Sequence, residues 1–368
     1  MNARTTALSA LIAIRRQNAW ADGALKEYIA RDRLSRRDAA LAARLVYGVV
    51  QNRLLLDFDL AQVVSSPLAK LQPVVLDILR LGAYQILFLD KIPVSAAVNE
   101  AVEQTKTYAN KRAAGLVNGS LRTLARRRDE LVQPHDLATK YSHPQPLVDC
   151  LRASMDDETL EAFLAADNDI PKTALQVNPL KAAPEQVAAA LDEAGVAYEP
   201  HPWLHGCFLV SGTGNLEALP LFQSGAVCVQ DAAAKLAVLA SGAAPGMRVL
   251  DCCAAPGGKS FAAAMQMENT GSILSCDLHA HKISLIEKNA ARLGISIIEA
   301  EQRSAAEFEP ALEKQFDLVI ADVPCSGLGV IRKKPDIRYK PLDAIERLPD
   351  VQRAILETVS RYVKPGGA

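Results

Sequence analysis

The chain has 368 residues, with 41 Lys+Arg against 42 Asp+Glu, a formal net charge of −1, and 49% hydrophobic and 23% charged residues. That composition excludes disordered, collagen-like and low-complexity chains, and the length suggests two or three domains with ordinary cores. No apolar run approaches the ~20 residues that span a bilayer, and Arg15-Arg16 break up the first helical stretch in a way foreign to a signal peptide, so a cytoplasmic protein without a membrane partner is expected.

In chain order, residues 1–132 read as helix after helix. Thr5–Ile14 and Ala24–Arg31 carry apolar residues at helical spacing, and Asp38–Asp59 continues through Leu41, Leu45, Val49 and Leu56. Pro67, Pro73 and Pro93 fall between segments, and no period-two pattern intrudes, which predicts an all-α bundle. Residues 1–130 hold 20 Lys+Arg against 12 Asp+Glu, a net of +8, and the remainder carries −9. A basic domain on an acidic remainder suits a polyanionic partner. Its basic clusters, Arg36-Arg37, Lys111-Arg112 and Arg126-Arg127, lie at segment ends; solvated helix faces are the plainer alternative for them.

The polar stretch 133–146, with three prolines, reads as a linker. Residues 145–225 then alternate strand-like Thr173–Val177, helical Pro184–Ala194, and strand-like Ala197–Tyr198 and Cys207–Val210, a small α+β module. Residues 226–368 change texture. Strands Met247–Asp251, Ser272–Asp277, Ile295–Ala300 and Phe316–Asp322 alternate with helices Ser260–Met267, Lys282–Leu293 and Asp343–Val363. That alternation predicts a parallel, doubly wound, Rossmann-like α/β sheet with its site at the strand carboxyl ends.

Three features carry chemistry. Asp251-Cys-Cys-Ala-Ala-Pro-Gly-Gly-Lys259 is a glycine turn between strand and helix, where a ligand can approach backbone N–H groups; it is neither GxxxxGK[ST] nor GxGxxG. Asp277 ends the next strand, 19 residues after Gly258, where an acid accepts hydrogen bonds from a ribose diol or merely caps a helix. Asp322 and Cys325, in Asp322-Val-Pro-Cys-Ser326, bring a carboxylate and a thiol to one predicted pocket. Seven cysteines without a CxxC pair and six scattered histidines suggest no metal site.

Together with Gly329-Val-Ile-Arg-Lys-Lys-Pro-Asp336, these motifs closely resemble the RNA cytosine-5 methyltransferases. The N-terminal helices, with Asn118-Gly-Ser-Leu-Arg122, resemble the NusB-type RNA-binding domain. The pairing resembles the bacterial RsmB/Sun type, which methylates a cytosine of 16S ribosomal RNA. The resemblance implies that Cys253, Ala254, Ala255, Pro256, Gly257, Gly258 and Lys259 wrap S-adenosylmethionine, that Asp277 holds its ribose, and that Glu301 stands where an acid faces the adenine. It also implies that Asp322 lies near the cytosine and the methyl donor, with Asp322 and Cys325 catalytic, and that Gln230-Asp231 match the family pattern. Arg332, Lys333 and Lys334 would join Arg36, Arg37, Lys111, Arg112, Arg126 and Arg127 as RNA contacts of a monomer.

Enzymes of this kind carry a second cysteine, in a later Thr-Cys motif, as the nucleophile. The sequence stops at Lys364-Pro-Gly-Gly-Ala368, where that motif would begin, so the resemblance either places the nucleophile beyond Ala368, in a domain whose last strands are missing and with Cys325 assisting product release, or leaves Cys325 to act alone; a fragment is the favoured reading. A non-catalytic RNA-binding or ribosome-assembly protein is the alternative, and a dinucleotide oxidoreductase is disfavoured by the absence of GxGxxG.

Overall fold

Leu8, Leu45, Leu56, Leu60, Ile78, Leu79, Leu121 and Leu124 are fully buried in one shared core. A computed structural model describes residues 2–17, 19–212 and 216–368, in two units. Residues 213–215 of the expected α+β module lie outside the described residues. The first unit runs to Pro171 and includes Gly327–Leu342. Its core is built by α1 (Ala3–Gln17), α2 (Ala21–Asp32), α3 (Arg36–Gln51), α4 (Arg53–Ala61), α5 (Pro73–Phe88), α6 (Val94–Tyr108) and α7 (Lys111–Arg126). Ser35 and Asn110 cap α3 and α7 by accepting from the amides of Asp38 and Ala113, and Pro73 opens α5 where no N–H is needed. The helix expected over Asp38–Asp59 is broken at Asn52, whose side-chain amide donates to the Gly48 carbonyl at 2.9 Å and closes α3.

The expected linker is instead structured. Asp136 caps a single turn, α8 (Leu137–Lys140), by accepting from the Thr139 amide at 2.7 Å, and Ser142 and His143 are fully buried. Helices α9 (Gln145–Arg152) and α10 (Asp157–Ala166) pack Val148, Leu160 and Leu164 against Ala138. Residues 327–342 return to this unit. Arg338 is its anchor: the buried Nη1 donates to the carbonyls of Gln51 (3.0 Å) and Ser142 (3.0 Å) and to Asn168 Oδ1 (3.1 Å). Tyr339 donates to the Val50 carbonyl at 3.0 Å, and Asp336 accepts from the Ala21 amide at 2.8 Å.

The second unit holds Lys172–Ser326 and Asp343–Ala368. Among the described residues it has two sheets. Strands β1 (Thr173–Val177), β2 (Ala197–Pro200), β3 (Cys207–Ser211) and β4 (Val227–Val229) form an antiparallel sheet in the order β2-β3-β1-β4. Helix α11 (Pro184–Glu193) covers it through Val187 and Leu191, and α12 (Pro220–Gln223) follows β3. After α13 (Ala232–Ala240) come β5 (Arg248–Asp251), α14 (Gly258–Gln266), β6 (Ser272–Asp277), α15 (Ala280–Leu293), β7 (Ile298–Gln302) and β8 (Leu318–Ile320). These strands are parallel in the order β7-β6-β5-β8, with Val249 and Leu250 of β5 buried on opposite faces.

The third parallel strand starts three residues later than expected, because Ile295 belongs to the end of α15. Gly294 turns left-handed (φ 73°), and the Ile295 amide bonds back to the Ala290 carbonyl. The helix expected over Asp343–Val363 is two, α16 (Asp343–Glu346) and α17 (Leu348–Val359), with Pro349 in the first turn of the second. Beside β8, the amide of Val319 bonds to the carbonyl of Ala368.

Candidate active site

The site starts from register. β5 ends at Asp251, level with Ser275 on β6 and Ile320 on β8. Asp277 and Asp322 thus lie two residues beyond that level, one on each flank of the loop that follows Asp251. The loop closes on Gly257, at φ +105°, a conformation that side chains resist. A Cβ added there would lie 2.2 Å from the Phe261 ring. The Ala255–Pro256 peptide is cis, and the Ala254 amide bonds to the Cys276 carbonyl at 2.8 Å, tying the loop to β6.

Asp251 is fully buried. Its Oδ2 accepts from Ser260 Oγ at 2.7 Å, and Ser260 accepts from Ser275 Oγ at 2.8 Å. Among the described residues, neither its Oδ1 nor Oε1 of Gln230, whose Nε2 donates to the Gly258 carbonyl at 3.0 Å, meets a donor at full hydrogen-bonding geometry, although the Cys253 amide acts on the carboxylate. Burial pushes the Asp251 carboxyl up to about 6, against the Ser260 hydroxyl and the Lys259 charge, which favour ionisation. Lys259 forms an ion pair with Asp322. Asp277, nearly buried, accepts from the His279 amide at 3.0 Å and lies 3.4 Å from Lys282 Nζ.

A cavity of about 190 Å³ lies at this turn. Of the residues singled out in the sequence, Cys253, Ala254, Ala255, Pro256, Gly258, Lys259 and Asp322 line it together with Gln230 and Asp251. Gly257 shapes the turn without lining the cavity, and Asp277, Glu301 and Cys325 are not among its lining residues. Glu301 sits on β7 in an ion pair with Arg303 at 2.9 Å. Cys325 is exposed in the loop after β8. That loop is held by Gln352 of α17, whose Nε2 donates to the Pro324 carbonyl at 2.9 Å.

Sequence reasoning passed over Gln352, Ser260 and Ser275. Ser260, one residue past the Gly-Gly-Lys turn, carried a local signal; the other two become visible only when distant segments meet. Cys228 and Cys276 are buried thiols raised by desolvation to about 11 and about 12, which makes them inert packing groups.

The basic clusters are exposed. Arg36-Arg37 and Lys111-Arg112 occupy the first turns of α3 and α7, and Arg126-Arg127 the end of α7, about 24 Å away at 1.5 Å per residue. Arg127 is 3.8 Å from Glu130. Arg332, Lys333 and Lys334 are exposed on the segment that returns to the first unit.

Comparison with known proteins finds three family models along the chain, and their bounds differ from those of the two units: one crosses Pro171 and another includes residues 327–342. Residues 1–126 match the model of the NusB family, residues 143–217 that of the RsmF/B-like ferredoxin-like domain, and residues 239–368 that of the 16S rRNA methyltransferases RsmB/F. A probable ribosomal RNA small subunit methyltransferase B from Bacillus subtilis is 38% identical, across 99% of this chain and 83% of its own length. A protein of the same description from Synechocystis is 32% identical, across 100% and 84%. The crystal structure of PH0851 superposes with a TM-score of 0.80 at 25% identity, covering 98% of this chain and 84% of that one.

Proposed function

Because the chain belongs to the 16S rRNA methyltransferase RsmB/F family, we propose that it moves a methyl group from S-adenosylmethionine to C5 of a cytosine in 16S ribosomal RNA, through a transient bond between a cysteine and C6 of the base. The observation that carries this reading is a cavity at the strand ends whose wall holds Asp251 and Gln230, each with a buried acceptor oxygen that meets no donor at full hydrogen-bonding geometry among the described residues. Unpaired buried acceptors are costly unless a ligand brings donors, and the ammonium of a methionine moiety does so. Asp277, on the next strand, is the acceptor for ribose hydroxyls.

S-adenosylmethionine, when bound, supplies an electrophilic methyl group on a sulfonium. C5 of cytosine is too weak a nucleophile to take it unaided. Addition of a thiolate to C6 turns C5 into an enamine-like carbon, which forms the bond to the methyl group; loss of the C5 proton and cleavage of the C6–S bond restore the ring. Thiolate addition puts negative charge on N3 and O2; Asp322, on the cavity wall, leaves its present partner Lys259 to pass a proton to N3 during addition and takes it back when the C6–S bond breaks. The base must be turned out of its stack to reach this pocket. The RNA is held by its phosphates at the basic clusters and at Arg332, Lys333 and Lys334. First-turn cations on α7, where no acid accompanies them, oppose the helix dipole, a placement that suits an external anion better than helix stability. The reaction then belongs to the cytoplasm, with the ribosomal RNA.

The test has two parts. Asp277→Ala is expected to weaken S-adenosylmethionine binding by about 1–3 kcal/mol in calorimetry, the scale of hydrogen bonds to a charged group; unchanged affinity removes Asp277 from the site. Transfer of labelled methyl from S-adenosylmethionine to 16S rRNA, mapped to the base, checks the reaction. In a chain continued past Ala368, a Cys325→Ser form that accumulates a covalent RNA adduct assigns Cys325 to release of the product. Multiple-turnover methylation by the 368-residue chain, abolished by Cys325→Ser, makes Cys325 the nucleophile.

A further inference from the structure

The first unit holds a hollow that methyl transfer does not use. It has a volume of about 340 Å³ and lies where Asp336–Pro341 pass over the helices, lined among others by Trp20, Arg53, Tyr339 and Lys340. Two more cations on its wall are already committed: Arg15 pairs with Asp77 at 2.8 Å, and Arg80 with Asp57 at 2.7 Å and Asp77 at 3.6 Å. Asp336, also on the wall, takes the Ala21 amide. Arg53 and Lys340 are differently placed. Among the described residues neither has a carboxylate partner. The guanidinium of Arg53 lies 3.5 Å over the Tyr339 ring, and Lys340 Nζ lies 4.3 Å from the centroid of Trp20, which is 49% exposed.

Two cations without carboxylates, each beside an aromatic ring, form a site for an anion and a flat π surface joined in one ligand. A nucleotide is such a ligand. The volume is at the small end of the ~300–1,000 Å³ typical of ligand pockets, which fits a single residue of a strand and excludes a duplex. We propose that this pocket seats one unpaired nucleotide of the RNA substrate, with its phosphate between Arg53 and Lys340 and its base against Trp20. The proposal rests on the RNA-substrate reading above and adds a second point of contact to it. Recognition of unpaired RNA by aromatic stacking beside cations is general chemistry, and nothing in the pocket requires a paired partner strand.

Trp20 and Trp203 are the two tryptophans of the chain, so the Trp203→Phe protein reports on Trp20 alone. The experiment titrates that full chain with a single-stranded rRNA oligonucleotide, with its duplex and with a free nucleoside monophosphate. It follows Trp20 emission and, separately, total RNA binding. The expected result is quenching by the single strand, little by the duplex, and about 10-fold weaker single-strand binding in Arg53→Gln/Lys340→Gln, with a shallower salt dependence. Arg53→Lys/Lys340→Arg keeps both charges and is expected to retain most of the affinity, which separates lost charge from lost fold. If the single strand binds the parent and Arg53→Gln/Lys340→Gln equally and leaves Trp20 emission unmoved, the pocket is not the seat and the RNA-substrate reading stands. Quenching by the monophosphate but not by the oligonucleotide overturns the assignment to RNA. If no RNA binds the parent chain at all, the substrate reading itself fails.

Discussion

Asp251 shows how one residue couples the fold to pH. Its ordinary value is 3.8 and burial raises it to about 6, so between those values the folded chain holds a proton that the unfolded chain releases. Stability contributed here is present at low pH and is lost as pH rises through the folded value. Above about 6 the buried carboxylate costs at most about 3 kcal/mol, at 1.36 kcal/mol per pH unit. Asp251→Asn, which can still accept from Ser260, is expected to equal or exceed the parent in urea stability by about 1–3 kcal/mol at pH 8. The gap should close by pH 4. A carboxyl titration by NMR with a midpoint near 4 would contradict this. The sequence shows Asp251 as the last residue of an apolar strand, and no more. Its burial depends on Ser260 and Ser275 meeting across the turn, which no local pattern encodes.

At the scale of elements, the turn from β5 into α14 is both the most legible part of the chain and the least tolerant. Gly257 is needed twice, for its positive φ and for the close approach of the Phe261 ring. Gly257→Ala is expected to cost about 1–3 kcal/mol in thermal or urea unfolding and to weaken S-adenosylmethionine binding with it. Adding Phe261→Leu should recover only part of the loss, because it relieves the contact and leaves the backbone strain. A full recovery would mean that crowding is the whole cost. Elsewhere the helices and parallel strands follow their apolar spacing, and the departures have small local causes. Asn52 turns its side chain back on α3, Ile295 is drawn into the close of α15, and Pro349 starts α17 anew. Each is a choice between two permissible readings that a contact within the helix end settles. The buried turn at Ser142 and His143 is a harder case, since a polar, proline-rich stretch carries the composition of a linker whether or not something docks on it.

For the whole molecule, the separation of charge predicts how RNA binding responds to salt. With +8 on residues 1–130, the logarithm of the RNA association constant should fall linearly with the logarithm of salt concentration, with a slope near −0.7 for each single-strand phosphate neutralised. Filter binding or fluorescence anisotropy between about 50 and 200 mM salt measures it, and a flat response would return the clusters to the role of solvated faces. What the sequence conceals at this scale is that its domains are not simply consecutive. Gly329–Asp336 reads as part of the methyltransferase, yet residues 327–342 pack with the N-terminal helices, because Arg338 finds acceptors on Gln51, Ser142 and Asn168. That arrangement has a consequence for the order of synthesis. A ribosome that has delivered residues up to Pro171 must add roughly 170 more before Arg338 emerges, a delay on the order of 10–30 s at ~5–20 residues per second. Until then the nascent bundle keeps those carbonyls solvated and its last segment absent. The unit that is translated first is among the last to be completed.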